Sequence, residues 1–150
     1  MADPVVFTDC LVSTTTATGS AVYTELSGVK SVTLPISRDD LDDAVMGDTI
    51  GAKYPGRLDI PVDIVCRQDF ATAAAGVDKL VYTRLINRTA FRLKIRPVDA
   101  AVSGPNPSYI LNKVRFHAAT PIDGKHGDPL ENKLKVLPQS GCALSRSTAT

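Results

Sequence analysis

Four carboxylates crowd one short stretch, Asp39, Asp40, Asp42 and Asp43, and such a group can in principle hold a divalent cation. A calcium loop, however, needs alternating oxygen ligands, a central glycine and a distal glutamate. Gly47 and Asp48 do not fall on that spacing, so the cluster reads as a solvated loop or a helix start. His126 with Asp128 is the only histidine–carboxylate pair close in sequence. His117 lies in a strand-like run. Two histidines without a nucleophile elbow or a paired-histidine motif do not make a catalytic constellation. The glycines are scattered and no Gly-Lys-Ser/Thr follows a strand, which removes a phosphate loop. Cys10, Cys66 and Cys142 are odd in number and far apart; they read as small apolar residues in a reduced cytosol rather than metal ligands. The expectation is no catalytic residue, no cofactor and no metal. A small enzyme using His126, Asp128 and one aspartate of the 39–43 group stays as the weaker alternative.

Composition narrows the classes further. A chain of 150 residues is the size of one compact domain with a real core. It is 43% hydrophobic and 22% charged, an ordinary globular balance. Seventeen Lys and Arg against sixteen Asp and Glu leave a net charge of +1, too little to grip nucleic acid through a general basic field. Aromatics are 5% and Trp is absent, which argues against base-stacking platforms. No apolar run reaches membrane-spanning length, and the opening residues lack a basic-then-apolar export pattern.

Those few polar clusters must be carried by a mainly β scaffold. Residues 1–20 hold Val5, Phe7, Leu11 and Val12, a first strand or an extended arm, followed by a Ser/Thr-rich stretch read as a turn or loop. Residues 21–26 and 29–36 are β-prone runs with Ser27-Gly28 between them, expected as a hairpin or bulge. Residues 37–56 read as a long loop, with a short helical turn near Arg38 and Pro55-Gly56 closing it. From Arg57 to Arg67 apolar and polar residues alternate, as they do again in Phe91, Leu93 and Ile95 against Arg92, Lys94 and Arg96. The basic face of that second run is expected to be solvated or to face Asp59 and Asp63. Tyr109 and Leu111, then Val114 and Phe116, predict a strand whose phase changes near Asn112. Leu134 and Val136 mark another, and residues 141–147 can supply a last short one. No internal repeat is visible.

A single long helix is predicted over residues 69–87, capped by Asp69. Ala71, Ala73, Ala74 and Ala75 favour it and Gly76 weakens its middle. Val77, Leu80, Val81 and Leu85 form its apolar stripe, with Asp78, Lys79 and Arg84 mostly on the other side. One amphipathic helix needs a sheet to cover. The fold class is therefore mainly β: two packed β-sheets, as a sandwich or partly open barrel, flanked by one α-helix, in one domain spanning 1–150.

Several short motifs, in order, carry a family resemblance: L-P-I-S-R-D-D-L-D-D-A-V-M-G-D at 34–48, Y-P-G-R-L-D-I-P-V at 54–62 and Q-D-F-A at 68–71. V-D-K-L at 77–80, I-R-P at 95–97 and N-P-S-Y at 106–109 follow. P-I-D-G-K-H-G-D at 121–128 and S-G-C-A-L-S-R-S-T at 140–148 complete the set. In this order they resemble the tail tube (major tail) proteins of bacteriophages with long non-contractile tails. The resemblance implies hexameric rings stacked into a hollow tube, located in the virion after assembly in the bacterial host cytoplasm. It implies a tape measure protein, a tail terminator and tail tip proteins as partners, DNA passing through the lumen without sequence-specific binding, and no membrane.

In that family the long loop between two early strands reaches the adjacent ring. Here it maps onto residues 37–56, so the implied contacts are Arg38, Asp39, Asp40, Asp42, Asp43, Met46, Asp48, Lys53 and Tyr54. The arm at 1–20 and the tail at 140–150 are the other implied inter-ring elements. Another ring- or shell-forming phage component, such as a terminator, a connector or a capsid decoration protein, is the alternative within the same class. A nucleic-acid-binding module comes third, disfavoured by the charge balance. A strongly basic lumen would slow DNA, so Arg92, Lys94 and Arg96 are expected to face elsewhere.

Overall fold

A computed structural model describes residues 10–42, 53–70, 76–98, 100–103 and 106–148. It contains ten strands and one helix among these residues. In chain order they are β1 (Leu11–Thr15), β2 (Tyr23–Glu25), β3 (Val29–Thr33), β4 (Ser37–Asp42), β5 (Lys53–Asp59) and β6 (Val62–Arg67). The helix α1 (Val77–Ile86) follows, then β7 (Phe91–Arg96), β8 (Ser108–Asp123), β9 (Glu131–Pro138) and β10 (Leu144–Ser147). The large sheet has the order β2-β1-β7-β8-β9-β6-β3, with β10 added beside β8, and β4 and β5 form a separate two-stranded sheet. The fold is mainly β with a large and a small sheet and one helix, as the fold class anticipates.

The large sheet curls because its two ends are tied by sequence. β2 and β3 terminate opposite ends of the strand order, yet only Leu26, Ser27 and Gly28 separate them. Three residues span roughly 10 Å at full extension, so the ends must meet. The expected hairpin between these runs is instead a corner: β2 pairs with β1, and β3 pairs with β6. Leu26 is buried there and donates its N–H to Val12 O at 2.8 Å. Gly28, at φ +65°, accepts from Arg67 N at 2.8 Å, and a side chain on it would meet Arg67 Cβ at 3.0 Å. Glycine supplies the left-handed turn without a Cβ penalty.

Period-two patterning places the core. Phe91, Leu93 and Ile95 on β7 are buried together with Val62, Ile64 and Cys66 on β6 and Leu134 and Val136 on β9. One continuous cluster joins these to Val12, Leu111, Val114, Phe116 and the helix residues Val77, Leu80 and Val81. Phe91 and Phe116 are in ring contact, with centroids 4.7 Å apart. The predicted phase change in β8 is a bulge: Leu93 pairs with Leu111 but Phe91 with Val114. At this bulge β8 also changes partners, from β10 along residues 108–111 to β9 from Val114 onward. Asn112 Oδ1 accepts from Ala143 N at 2.7 Å and Lys113 O accepts from Gln139 N at 3.0 Å, so the switch leaves its backbone groups bonded.

Several expectations are corrected. The helix is Val77–Ile86 rather than 69–87; Gly76, extended at φ −60° and ψ 128°, is its N-cap and gives no side-chain cap. Asp69 instead receives Asp78 N on its backbone carbonyl at 3.2 Å. Residues 71–75 lie outside the described residues. The buried face is Val77, Leu80, Val81 and Arg84, so Arg84 belongs to the face and not to the solvent side. That set is the i, i+3, i+4, i+7 stripe of a helix, and spacing outranks side-chain type. Residues 37–42 are strand, not a helical turn, and the run from Arg57 to Arg67 breaks into β5 and β6 at Ile60-Pro61. Pro61 has no N–H to extend the ladder. Residues 11–15 of the expected arm are the interior strand β1, and residues 144–147 of the expected tail are β10. Arg92, Lys94 and Arg96 do not face Asp59 and Asp63, because β7 lies between β1 and β8. Lys94 sits over the Tyr23 ring at 5.5 Å and Arg96 Nη1 donates to Ala100 O at 3.0 Å.

Candidate assembly surfaces

The β4–β5 hairpin carries six of the sequence-predicted contact residues, Arg38, Asp39, Asp40, Asp42, Lys53 and Tyr54; Asp43, Met46 and Asp48 lie outside the described residues. Every residue of β4 is exposed, as is all of β5 except Gly56. Pairing runs Arg38 with Leu58, Asp40 with Pro55, Leu41 with Tyr54 and Asp42 with Lys53. Between the first two pairs the register shifts, so β5 holds an extra residue. Gly56 sits at that bulge, where an added Cβ would lie 2.9 Å from Asp39 O and 3.0 Å from Leu41 Cγ. Arg38 Nη1 braces the same point by donating to Gly56 O at 3.1 Å.

Cross-strand partners share a face. One face of the hairpin therefore bears Leu41 and Tyr54, 57% and 59% exposed. The opposite face bears Asp40, Asp42 and Lys53, with Lys53 Nζ 3.5 Å from Asp40 Oδ2. An exposed pair of this kind contributes little. Two strands with no core on either side are marginal in water by themselves. Both also present unpaired backbone edges, which are templates for another chain.

The groups with catalytic potential are not brought together. His126 is exposed in the turn between β8 and β9, where Asp128 N donates to Lys125 O at 3.0 Å. His117 lies on β8 beside a second register shift, and the 39–42 aspartates ride on β4 in the other sheet. No group of three His, Cys, Asp or Glu side chains forms a metal site among the described residues. Burial pushes the Cys10 and Cys66 thiols up to about 11, which leaves them almost wholly protonated near neutral pH. An open cleft of about 660 Å³ at the β8–β9 turn is lined by Lys30, Asp123, Lys125, Asp128, Glu131 and Lys133. Its charges answer one another, through the ion pairs Lys30–Glu131 and Lys133–Asp123. The Asp123 carboxylate holds the Lys133 ammonium above the usual lysine range.

Sequence reasoning missed a basic pocket. Arg88, Arg115 and His117, with Phe116, Leu137 and Gln139, line a cavity of about 220 Å³. Arg88 is exposed in the turn after α1 at φ +52°, an uncommon conformation for a side chain with a Cβ. Arg84 lies behind the pocket, 4.9 Å over the Phe91 ring whose partner Phe116 forms the wall. Desolvation lowers its affinity for a proton. The only sequence signal for this cluster was the helical spacing that puts Arg84 in line with Val77, Leu80 and Val81.

No family model matches the chain, and no curated protein matches it by sequence. Its structure matches solved ones over nearly its full length. The SPP1 tail tube superposes with a TM-score of 0.73 at 7% identity, covering 98% of this chain and 82% of that one. A chain of the sheath/tube terminator of the extracellular contractile injection system PVC gives 0.67 at 12% identity, over 96% of this chain and 98% of that one. A chain from the tail of the empty gene transfer agent particle, with C6 symmetry, gives 0.59 at 11% identity, over 91% and 96%. At such identities the likeness establishes the fold, which is the tail tube fold. Tubes, terminators and tails share it.

Proposed function

We propose that this chain is a structural virion protein whose copies close into hexameric rings and stack into the hollow tail tube through which a phage genome is delivered. The observation that carries the reading is the β4–β5 ribbon. It is exposed on both faces, with Leu41 and Tyr54 on one and Asp40, Asp42 and Lys53 on the other, on a chain whose fold is that of tail tubes. Lateral closure uses edge strands of the large sheet, where β2, β3 and β10 each pair on one side among the described residues. The ribbon, together with Asp43, Met46 and Asp48 beyond its described ends, is the inter-ring contact, and the segments flanking β1 and β10 assist it. Such head-to-tail stacking is heterologous and so open-ended. A tape measure protein in the lumen, a terminator and tip proteins at the ends are the expected partners, and DNA passes without sequence-specific binding. Assembly takes place in the host cytoplasm and the product resides in the virion.

The fold match to tube terminators favours one second reading, a terminator that stops at a single ring. Negative-stain electron microscopy of the purified protein over a concentration series separates them. Tubes that lengthen with concentration support the tube protein. Six-fold rings that never stack support the terminator, and a chain that stays monomeric at every concentration sinks both.

A further inference from the structure

The pocket formed by Arg88, Arg115 and His117 contains no acidic side chain in its lining among the described residues. None of these residues, nor Arg84 behind them, takes part in an ion pair among the described residues. Arg84 Nη1 and Arg115 Nε are moreover buried without a hydrogen-bond partner, a state that Arg92 Nε shares outside the pocket. Buried donors left unbonded are costly, and guanidinium groups in particular are normally answered by a carboxylate or phosphate. The C-terminal dipole of α1 accounts for cations at Arg84 and Arg88. It does not account for Arg115 and His117, which stand on β8, a different element. The cluster reads as one half of a contact.

The other half is present on the same chain. Asp39, Asp40 and Asp42 are exposed on β4, and the segment 39–54 carries five aspartates against one lysine, a net charge of −4 on a chain whose total is +1. The Asp42–Lys53 end of the ribbon lies a strand's length from the ribbon's own base. Its base, at Leu58, Asp59 and Ile60, adjoins Pro138, Gln139 and Cys142, next to the pocket wall at Leu137 and Gln139. Lys53 lies six residues further along β5, roughly 20 Å away at about 3.3 Å per residue. We infer that the Arg88–Arg115–His117 pocket receives the acidic β4–β5 ribbon of a second copy of this chain. The inference rests on the self-assembly reading above and adds to it the receiving surface. Ribbon and pocket are different patches, so the contact is heterologous and propagates from copy to copy, as stacking requires.

The test uses the full chain and exposed side chains alone, so that folding is not at issue. One variant reverses the pocket, Arg88→Glu with His117→Glu; a second reverses the ribbon, Asp40→Lys with Asp42→Lys; a third combines all four. Sedimentation velocity over a concentration series reads self-association, electron microscopy reads its form, and a thermal melt confirms that each variant is folded. Wild-type association should weaken steeply with added salt. Each reversed pair should raise the concentration needed for association by on the order of 100-fold or more, since opposed like charges cost several kcal/mol. The combined variant should recover to within about tenfold of wild type, because every ribbon then meets a pocket of opposite sign again. A pocket variant that associates like wild type overturns the contact, as does a combined variant no better than its parents. A wild-type chain that never self-associates overturns it too. Tubes indifferent to the charge swaps would leave the tube reading standing and remove this contact. Swap-sensitive oligomers that are not tubes would do the reverse.

Discussion

Gln68 joins the sheet to the helix: its Oε1 accepts from Asn132 Nδ2 at 3.0 Å while its Nε2 donates to Asp78 Oδ1 at 2.8 Å. Asn132 is buried on β9, and its backbone carbonyl also accepts from the Cys66 thiol at 3.6 Å. The first turn of α1 has no side-chain cap, so this relay and the bond from Asp78 N to Asp69 O tie that turn to the sheet side. Replacing Gln68 with Leu leaves the buried Asn132 amide without its acceptor and should cost about 1–3 kcal/mol. Urea denaturation would measure it. A variant as stable as wild type would mean the relay is only incidental to folding.

Gly56 sits at the bulge within the β4–β5 ribbon. In Gly56→Ala the new methyl would lie against the Asp39 carbonyl and Leu41, and the β4–β5 pairing must open to accommodate it. The ribbon shares no strand pairing with the large sheet among the described residues, so the global melt should move by no more than about 0.5 kcal/mol. Assembly, scored by electron microscopy, should be lost. A large drop in melting temperature with tubes intact would show the reverse division of labour.

Leu41 and Tyr54 expose apolar surface on one face of the ribbon, which the proposed assembly would cover. Leu41→Ser with Tyr54→Ser should leave monomer stability unchanged, because both side chains are more than half exposed. Burying each is worth about 1.5–3 kcal/mol at a closed interface, so association should weaken by at least tenfold in sedimentation. If association is unchanged, this face of the ribbon is not buried in the assembly.

Arg84 is a charged side chain held in the core of the monomer. It is buried over Phe91 and one guanidinium nitrogen has no partner. An apolar replacement of similar length removes that desolvation cost. Arg84→Met is expected to melt at or above the wild-type temperature, whereas Phe91→Ala should lose about 3–5 kcal/mol. A clear loss of stability in the methionine variant would mean that the cation–ring contact outweighs the burial.

The raised thiols set a pH dependence. Cys66 loses its proton at about 11 in the folded chain, against an ordinary value of 9.0, because burial disfavours the thiolate. The unfolded chain therefore sheds this proton first as pH rises. The associated stability is complete below pH 9 and is lost as pH climbs from there through about 11. Denaturation at pH 8, 9.5 and 10.5 should show the decline, and a Cys66→Ala variant should flatten it. At pH 8 a thiol reagent should label Cys66 only after unfolding.

By itself the sequence determined the local elements whose signal is repetitive. Strict alternation placed Phe91, Leu93 and Ile95 on a buried face, the broken phase near Asn112 marked the bulge in β8, and helical spacing placed Val77, Leu80 and Val81 against a sheet. Its near-neutral net charge and scattered histidines, together with ordered short motifs, also pointed to a β-rich tail tube resemblance. Tertiary structure decided what pairs with what. Nothing local distinguishes a strand beginning at Ser37 from a helix start rich in aspartate; pairing with Lys53–Asp59 does so. Nor can spacing show that the corner at Gly28 sends β2 and β3 to opposite ends of one curled sheet. That curl and the packing of α1 on β8 bring Arg88 beside Arg115 and His117, residues far apart in the chain. A pocket of this kind is made of long-range contacts. Sequence periodicity reports only which face of an element is apolar, and so it could place each arginine on its element but not beside the others.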